Sequence, residues 1–295
     1  MSVIYDITHT THYHYAQPVT IDEHRVMFRP RDSHDMRVLA TDLKVTPPAL
    51  EVRLIQDAYS NSVALVLPQS PATQLKLVRT FTVEHSGTPA LDFPLDPQAQ
   101  TYPFDYDPEE RLILAPYLVP HYDDPDDQLL AWAQQFVPVQ QAISPRDLLL
   151  AMRQFIHDTM QYRSRSREGV HDPLETLRLQ SGSCRDFATL MIEAARRLGY
   201  AARFVSGYLY IPRLDTDAQI DARPANTHAW VEAYLPGAGW IPLDPTNQMA
   251  AGGNHLIRVN VARHASQAPP VSGSWHGSAS DYLGMTVDVQ VRQRH

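Results

Sequence analysis

The chain has 295 residues, 43% apolar and 20% charged, a balance that excludes a disordered polymer and leaves material for about two domains. Lys plus Arg number 25 against 33 Asp plus Glu, a formal charge of −8, so there is no broad basic field to hold nucleic acid. The single cysteine, Cys184, excludes an internal disulfide and a thiolate-rich zinc site, and no aliphatic run approaches the roughly 18 residues of a membrane helix. The opening MSVIYDITHTTH lacks the basic-then-apolar grammar of a secretory leader, so the expected location is cytoplasmic, with no membrane partner.

Residues 1–120 read as a β-rich N-terminal domain with a connector. Val3, Tyr5 and Ile7 alternate with polar neighbours, as do Leu75 and Leu77 and the stretch through Phe81 and Val83, the period of a strand with one buried face. Pro47-Pro48, Pro68, Pro71 and Pro89 punctuate these runs, and Asp57 to Asn61 reads as a turn. Short strands with such breaks predict a small sandwich or barrel. The proline-rich stretch from Leu91 to Pro120 reads as an ordered connector over the surface.

Residues 121–253 change grammar. Asp124-Pro125-Asp126-Asp127, Ser144-Pro145-Arg146-Asp147 and Asp172-Pro173-Leu174-Glu175 each place a cap residue before a proline at the first helical position and a carboxylate at the third, a helix start. The second opens a helix to about Met160. A fourth start is Ser183, with Asp186 as its reciprocal capping partner, a helix whose first residue is Cys184 and which Gly199 stops. Strands return at 203–210, 228–235 and 240–244. Residues 254–295 carry weaker strand signals, clearest from Met285 to Val291, and read as a C-terminal β segment packed on the body.

Cys184 sits where unpaired amides and the helix dipole favour a thiolate. A lone cysteine is more often a small core residue, but a thiol nucleophile needs a base and the base an orienting acceptor, and both are in reach. His228 opens an alternating strand on which Trp230, Glu232 and Tyr234 share its face; the turn Pro236-Gly237-Ala238-Gly239 leads back to Asp244. A symmetric four-residue loop would pair Leu235 with Trp240 and turn Asp244 away from His228. Bringing them together requires an odd loop or a bulge, which the two glycines permit.

The segments SGSCRDFATLMIEAARRLGYAARFVSGYLY and NTHAWVEAYLPGAGWIPLDPTN resemble the core of the transglutaminase-like superfamily, in its bacterial cysteine-protease-like branch. HTTHYHYAQPV with Arg29 to Arg31, and the tail from Asn254, resemble the flanking regions of that branch. The resemblance implies an α+β fold: a papain-like, cysteine-nucleophile core preceded by a β-rich domain. It gives Cys184, His228 and Asp244 the catalytic roles and implies no metal or cofactor. Arg185 stands where many members carry Gln, and Ala262-Arg263-His264 where Gly-Arg-Asp is more usual, departures that bear on the substrate pocket. The Cys184 amide is one expected oxyanion donor. Gln161 or Tyr162 is a candidate for the second, although both also fit as ordinary helix-end residues. Trp230 is either a wall of the acyl pocket or a packing residue.

Other features are set aside. His9, His12 and His14 have no companion carboxylate at a telling spacing, Asp123 to Asp127 lack the glycine and glutamate of a calcium loop, and the pairs His157-Asp158 and His171-Asp172 lack further ligands. The expected activity is acyl transfer on a peptide or protein amide, with hydrolysis favoured over transamidation. A non-catalytic peptide-binding module and a Cys184 redox sensor are the alternatives.

Overall fold

A computed structural model describes residues 2–87, 94–164, 169–210, 227–247 and 255–294. The N-terminal strands are β1 (Val3–Ile21), β2 (His24–Arg29), β3 (Met36–Thr46), β4 (Ala49–Gln56), β5 (Ser62–Pro68) and β6 (Ala72–His85). The connector and helical region hold α1 (Pro108–Leu118), α2 (Gln128–Gln134), α3 (Pro145–Thr159), β7 (Gln161–Tyr162), α4 (Pro173–Leu179), β8 (Ser181–Gly182) and α5 (Cys184–Arg197). Then come β9 (Ala202–Leu209), β10 (Thr227–Leu235), β11 (Gly239–Leu243), β12 (Leu256–Ala262), β13 (Val271–Ser272), β14 (Trp275–His276) and β15 (Tyr282–Arg294).

The N-terminal strands form a sandwich. One sheet runs β14-β1-β6-β3 with β15 also on β1, the other β13-β2-β5-β4. Alternation buries Tyr15, Val19 and Ile21 of β1 against Val26, Phe28, Ala64, Val66, Leu75 and Leu77. The first sheet overhangs the second, and its far half does not face solvent: Tyr5, Ile7, Phe81 and Val83 pack on Tyr208, Tyr210, Ile257 and Val259 of the core. His9 lies in the same seam, 1% exposed, stacked on Phe28 and 2.8 Å from the Tyr208 hydroxyl. His12 instead contacts Gln74, its ring 3.8 Å from that of His14.

The core is an antiparallel sheet, β11-β10-β9-β12, with α5 laid across it. Phe187, Leu190, Met191, Ala194 and Ala195 of α5 meet Phe204 of β9 and Ala229, Val231 and Ala233 of β10; Leu148, Met152 and Ile156 of α3 complete the layer. Each fully buried Leu, Met or Ile there contributes about 1.5–3 kcal/mol of transfer free energy.

The connector carries a helix that the sequence reading did not assign: α1, opened by Asp107, whose carboxylate accepts the Glu109 amide, with Pro108 at the first position. This is the same grammar as the other starts, masked by Pro116 inside the helix. The start at Asp124 is displaced. Pro125 and Asp126 form a turn, α2 begins at Gln128, and the Asp124 carboxylate caps from outside by accepting Leu129 N and Leu130 N. The starts at Pro145, Pro173 and Cys184 are as expected.

The last 40 residues are shared between the two halves. β12 is the outer strand of the core sheet beside β9, whereas β13, β14 and β15 pair with β2 and β1. Pro89 and the boundary placed at 253 lie outside the described residues.

Candidate active site

The first turn of α5 is locked from below. Asp186, fully buried, accepts Ser183 N and Ser183 Oγ at 2.8 Å through Oδ2 and the His171 amide at 2.6 Å through Oδ1. It therefore serves as the capping partner expected of it, and it fixes Cys184 at the helix tip, 9% exposed.

The hairpin satisfies the parity condition. Leu235 pairs with Gly239, Tyr234 with Trp240 and Val231 with Leu243, so the loop is Pro236-Gly237-Ala238, three residues. In this register Asp244 falls on the face of Trp230 and His228. Gly237 has φ +85°, and a Cβ there would lie 2.6 Å from Asp96 N, so a non-glycine residue would be both strained and obstructed. His228 Nε2 donates to Asp244 Oδ2 at 2.8 Å, and Cys184 lies near enough to act on the imidazole.

Burial disfavours the imidazolium, but the charge and hydrogen bond of Asp244, then those of Cys184, outweigh it and push His228 up to about 10. Burial likewise opposes the Asp244 carboxylate, but the His228 charge and the hydrogen bonds from His228, Asn247 and the Thr246 amide hold it below its ordinary value. Thr246 N and Asn247 N donate to Oδ1 at 2.9 and 3.2 Å, and Asn247 Nδ2 donates to Oδ2 at 3.0 Å. His157, at the end of α3, hydrogen-bonds the Thr246 carbonyl at 3.0 Å and pins this turn. Asn247 was not singled out from sequence, and His157 was weighed there only as half of a metal-ligand pair. Asp-Pro-Thr-Asn after a strand is an aspartate-turn signal that would have found the first; nothing local identifies the second.

The pocket candidates separate. β7 pairs in parallel with β8, Tyr162 opposite Gly182, which places it two residues before Cys184 in the neighbouring strand. Burial raises the Tyr162 hydroxyl, and the proximity of Cys184 and Asp186 adds to it. Gln161, exposed, gives its side-chain oxygen to the Arg163 guanidinium at 2.8 Å. Trp230 is 1% exposed, packed with Val205 and Val261, and its ring stacks on His228 at 6.1 Å. Gly207 is the cross-strand partner of His228, and a Cβ there would lie 2.0 Å from the Ile257 carbonyl and 2.9 Å from the Trp230 ring.

The unusual residues have structural partners. Arg185 donates to the Ala265 carbonyl at 3.1 Å and lies over the Phe204 ring. Arg263 binds the carbonyls of Pro116, Val119 and Pro120, and His264 Nε2 is 2.9 Å from the Tyr122 hydroxyl. They tie the connector to the end of β12.

Residues 131–245 match the model of the transglutaminase-like superfamily, and residues 5–84 match that of the bacterial transglutaminase-like N-terminal region. Residues 131–245 therefore form a transglutaminase-like core, preceded by a bacterial transglutaminase-like N-terminal region at 5–84. An uncharacterized protein of Mycobacterium tuberculosis is 28% identical over 301 residues, covering 97% of this chain and 92% of its own. A protein-glutamine gamma-glutamyltransferase of Pseudomonas aeruginosa is 33% identical over 111 residues, 36% of this chain and 16% of its own. A crystal structure of a candidate cysteine protease from Cytophaga hutchinsonii shares the fold, with TM-score 0.71 and 22% identity over 99% of this chain and 91% of that one. Family and site together support a cysteine-based enzyme.

Proposed function

We propose that this chain is an acyl-transfer enzyme acting on peptide or γ-glutamyl-type amides, with Cys184 as nucleophile, His228 as acid and base, and Asp244 as the orienting carboxylate. The observation that carries this reading is the imidazole of His228, which reaches from Cys184 to Asp244 in a site where the three residues are 7%, 9% and 5% exposed respectively.

In this scheme the Cys184 thiolate attacks the amide carbonyl, and the Cys184 amide receives the developing oxyanion. The C–N bond breaks as His228 gives its proton to the departing amine, leaving the acyl group on Sγ as a thioester. Water then gives a proton to His228 and attacks the thioester; the C–S bond breaks, and the carboxylic acid and thiolate are released. Hydrolysis is the outcome we favour. Entry of a primary amine in place of water would form an isopeptide bond, a reading favoured by the similarity of the core to the Pseudomonas gamma-glutamyltransferase.

Iodoacetamide alkylation of the single cysteine tests the pair. Alkylation of the wild type is expected to continue well below neutral pH, where an unassisted thiol is protonated, and His228→Ala is expected to move the profile into the alkaline range. Identical profiles would return Cys184 to the core. A blocked glutaminyl peptide, offered with and without a fluorescent primary amine, then separates the two outcomes: both release ammonia, but hydrolysis leaves a glutamate and transamidation leaves the fluorescent amide.

A further inference from the structure

A cavity of about 340 Å³ lies between the segment Arg31 to Asp35 of the N-terminal half and the β10–β11 hairpin of the core. That volume is at the lower end of the range for small-molecule sites. Trp230, Trp240, Ile241, Pro242 and Leu256 supply its apolar lining, and three guanidinium groups also line it, those of Arg31, Arg203 and Arg258, with Arg203 lying 4.0 Å over the Trp240 ring.

Two of the three are neutralised. Glu232, fully buried, takes Arg203 Nη2 at 2.6 Å and Arg258 Nη1 at 2.8 Å, and Asp35 takes Arg258 Nη2 at 3.1 Å. Arg31 is different. Its one hydrogen bond goes from Nη1 to the Tyr59 carbonyl at 2.9 Å, and it has no carboxylate partner among the described residues. The remaining carboxylate on the rim, Asp32, accepts the Val38 amide at 2.8 Å. A guanidinium has five N–H donors, so Arg31 retains unused donors in a half-buried position. Burial, then the like charges of Arg203 and Arg258, lower its pKa, while the Glu232 and Asp57 carboxylates act the other way.

We infer that this cavity is a binding site for an organic carboxylate carrying an apolar body, its anionic end on Arg31 and its body against Trp240 and Leu256. A planar, forked donor matches a carboxylate in two-point geometry, and the unused N–H groups of Arg31 are the donors that such an anion would take. The inference does not depend on the catalytic reading, because none of the groups invoked is Cys184, His228 or Asp244.

Calorimetric titration of the full chain as Cys184→Ala, with N-acetylphenylalanine, N-acetyl-alanyl-phenylalanine and the amides of both, tests it. Both acids are expected to saturate, the amides to bind at least about tenfold more weakly, and Arg31→Gln to cost about tenfold or more. Arg31→Lys is expected to restore part of the loss, and unchanged thermal midpoints would show that both variants fold. Dipeptide acid binding tighter than the single residue would identify a peptide terminus as the natural group; the reverse order would identify a small acid. Equal binding of acid and amide, indifference to Arg31→Gln in a folded variant, or no heat from either acid up to about 10 mM would overturn the inference.

Discussion

His228 is a buried base, 7% exposed, whose proton is held mainly by its protein neighbours. Its raised value and the lowered value of Asp244 set the sign of the pH dependence. A histidine lifted from 6.5 to about 10 contributes stability that is complete below the unfolded value and lost as pH rises through the folded one. Asp244, held below 3.8, contributes stability present above that value and lost in acid. The stability gap between wild type and His228→Gln, measured by urea unfolding, is therefore expected to narrow steadily from about pH 6.5 to about pH 10. A gap independent of pH would mean that the imidazole is not charged in the fold. At this scale the sequence was legible where chemistry restricts residue type: a cysteine after a cap, a histidine opening a strand, an aspartate closing its partner. Asn247 and His157 were not legible in that way, since what they do is hold a turn, and many residue types can hold a turn.

The elements matter for how they fix these side chains in phase. Gly207 illustrates the tolerance: the ladder partner of His228 must be bare, because the Ile257 carbonyl and the Trp230 ring occupy the volume of a Cβ. Gly207→Ala is expected to destabilise the protein by about 3 kcal/mol through overpacking, seen as a lower urea midpoint, with alkylation of Cys184 perturbed through the Trp230–His228 stack. A neutral substitution would show that β12 can move aside without cost. The odd hairpin loop was deducible in advance, because strand faces alternate and the site needs two residues on one face. The helix starts were deducible to the extent that caps are local. α1 escaped notice because Pro116 contradicts a helical pattern that tertiary packing nevertheless sustains, and α2 began late because Pro125 and Asp126 satisfied a turn before they satisfied a helix.

In the whole molecule the sandwich and the core are joined by buried polar contacts as well as apolar ones. Asn61 accepts the Val261 amide at 2.9 Å and donates to its carbonyl at 2.7 Å, so one side chain completes the edge of β12. Burial pulls His9, in the same seam, down to about 4. Between about 4 and the ordinary 6.5 the unfolded chain therefore binds a proton that the folded seam refuses, and stability falls as pH drops through that window. Thermal midpoints of wild type are expected to decline from pH 6.5 to pH 4 more steeply than those of His9→Gln; parallel declines would remove His9 from the account. Pairings between distant segments were the least legible feature, because strand periodicity says which face is buried and nothing about which strand lies alongside. The same seam has a consequence for descent. The stretch recognisable as the superfamily core stops at 245, yet its sheet is closed by β12, beyond that limit, and its outer face is covered by strands from the start of the chain. A recombination event that cut at the recognisable boundary would transplant a sheet lacking its border strand, which the recipient chain would have to supply.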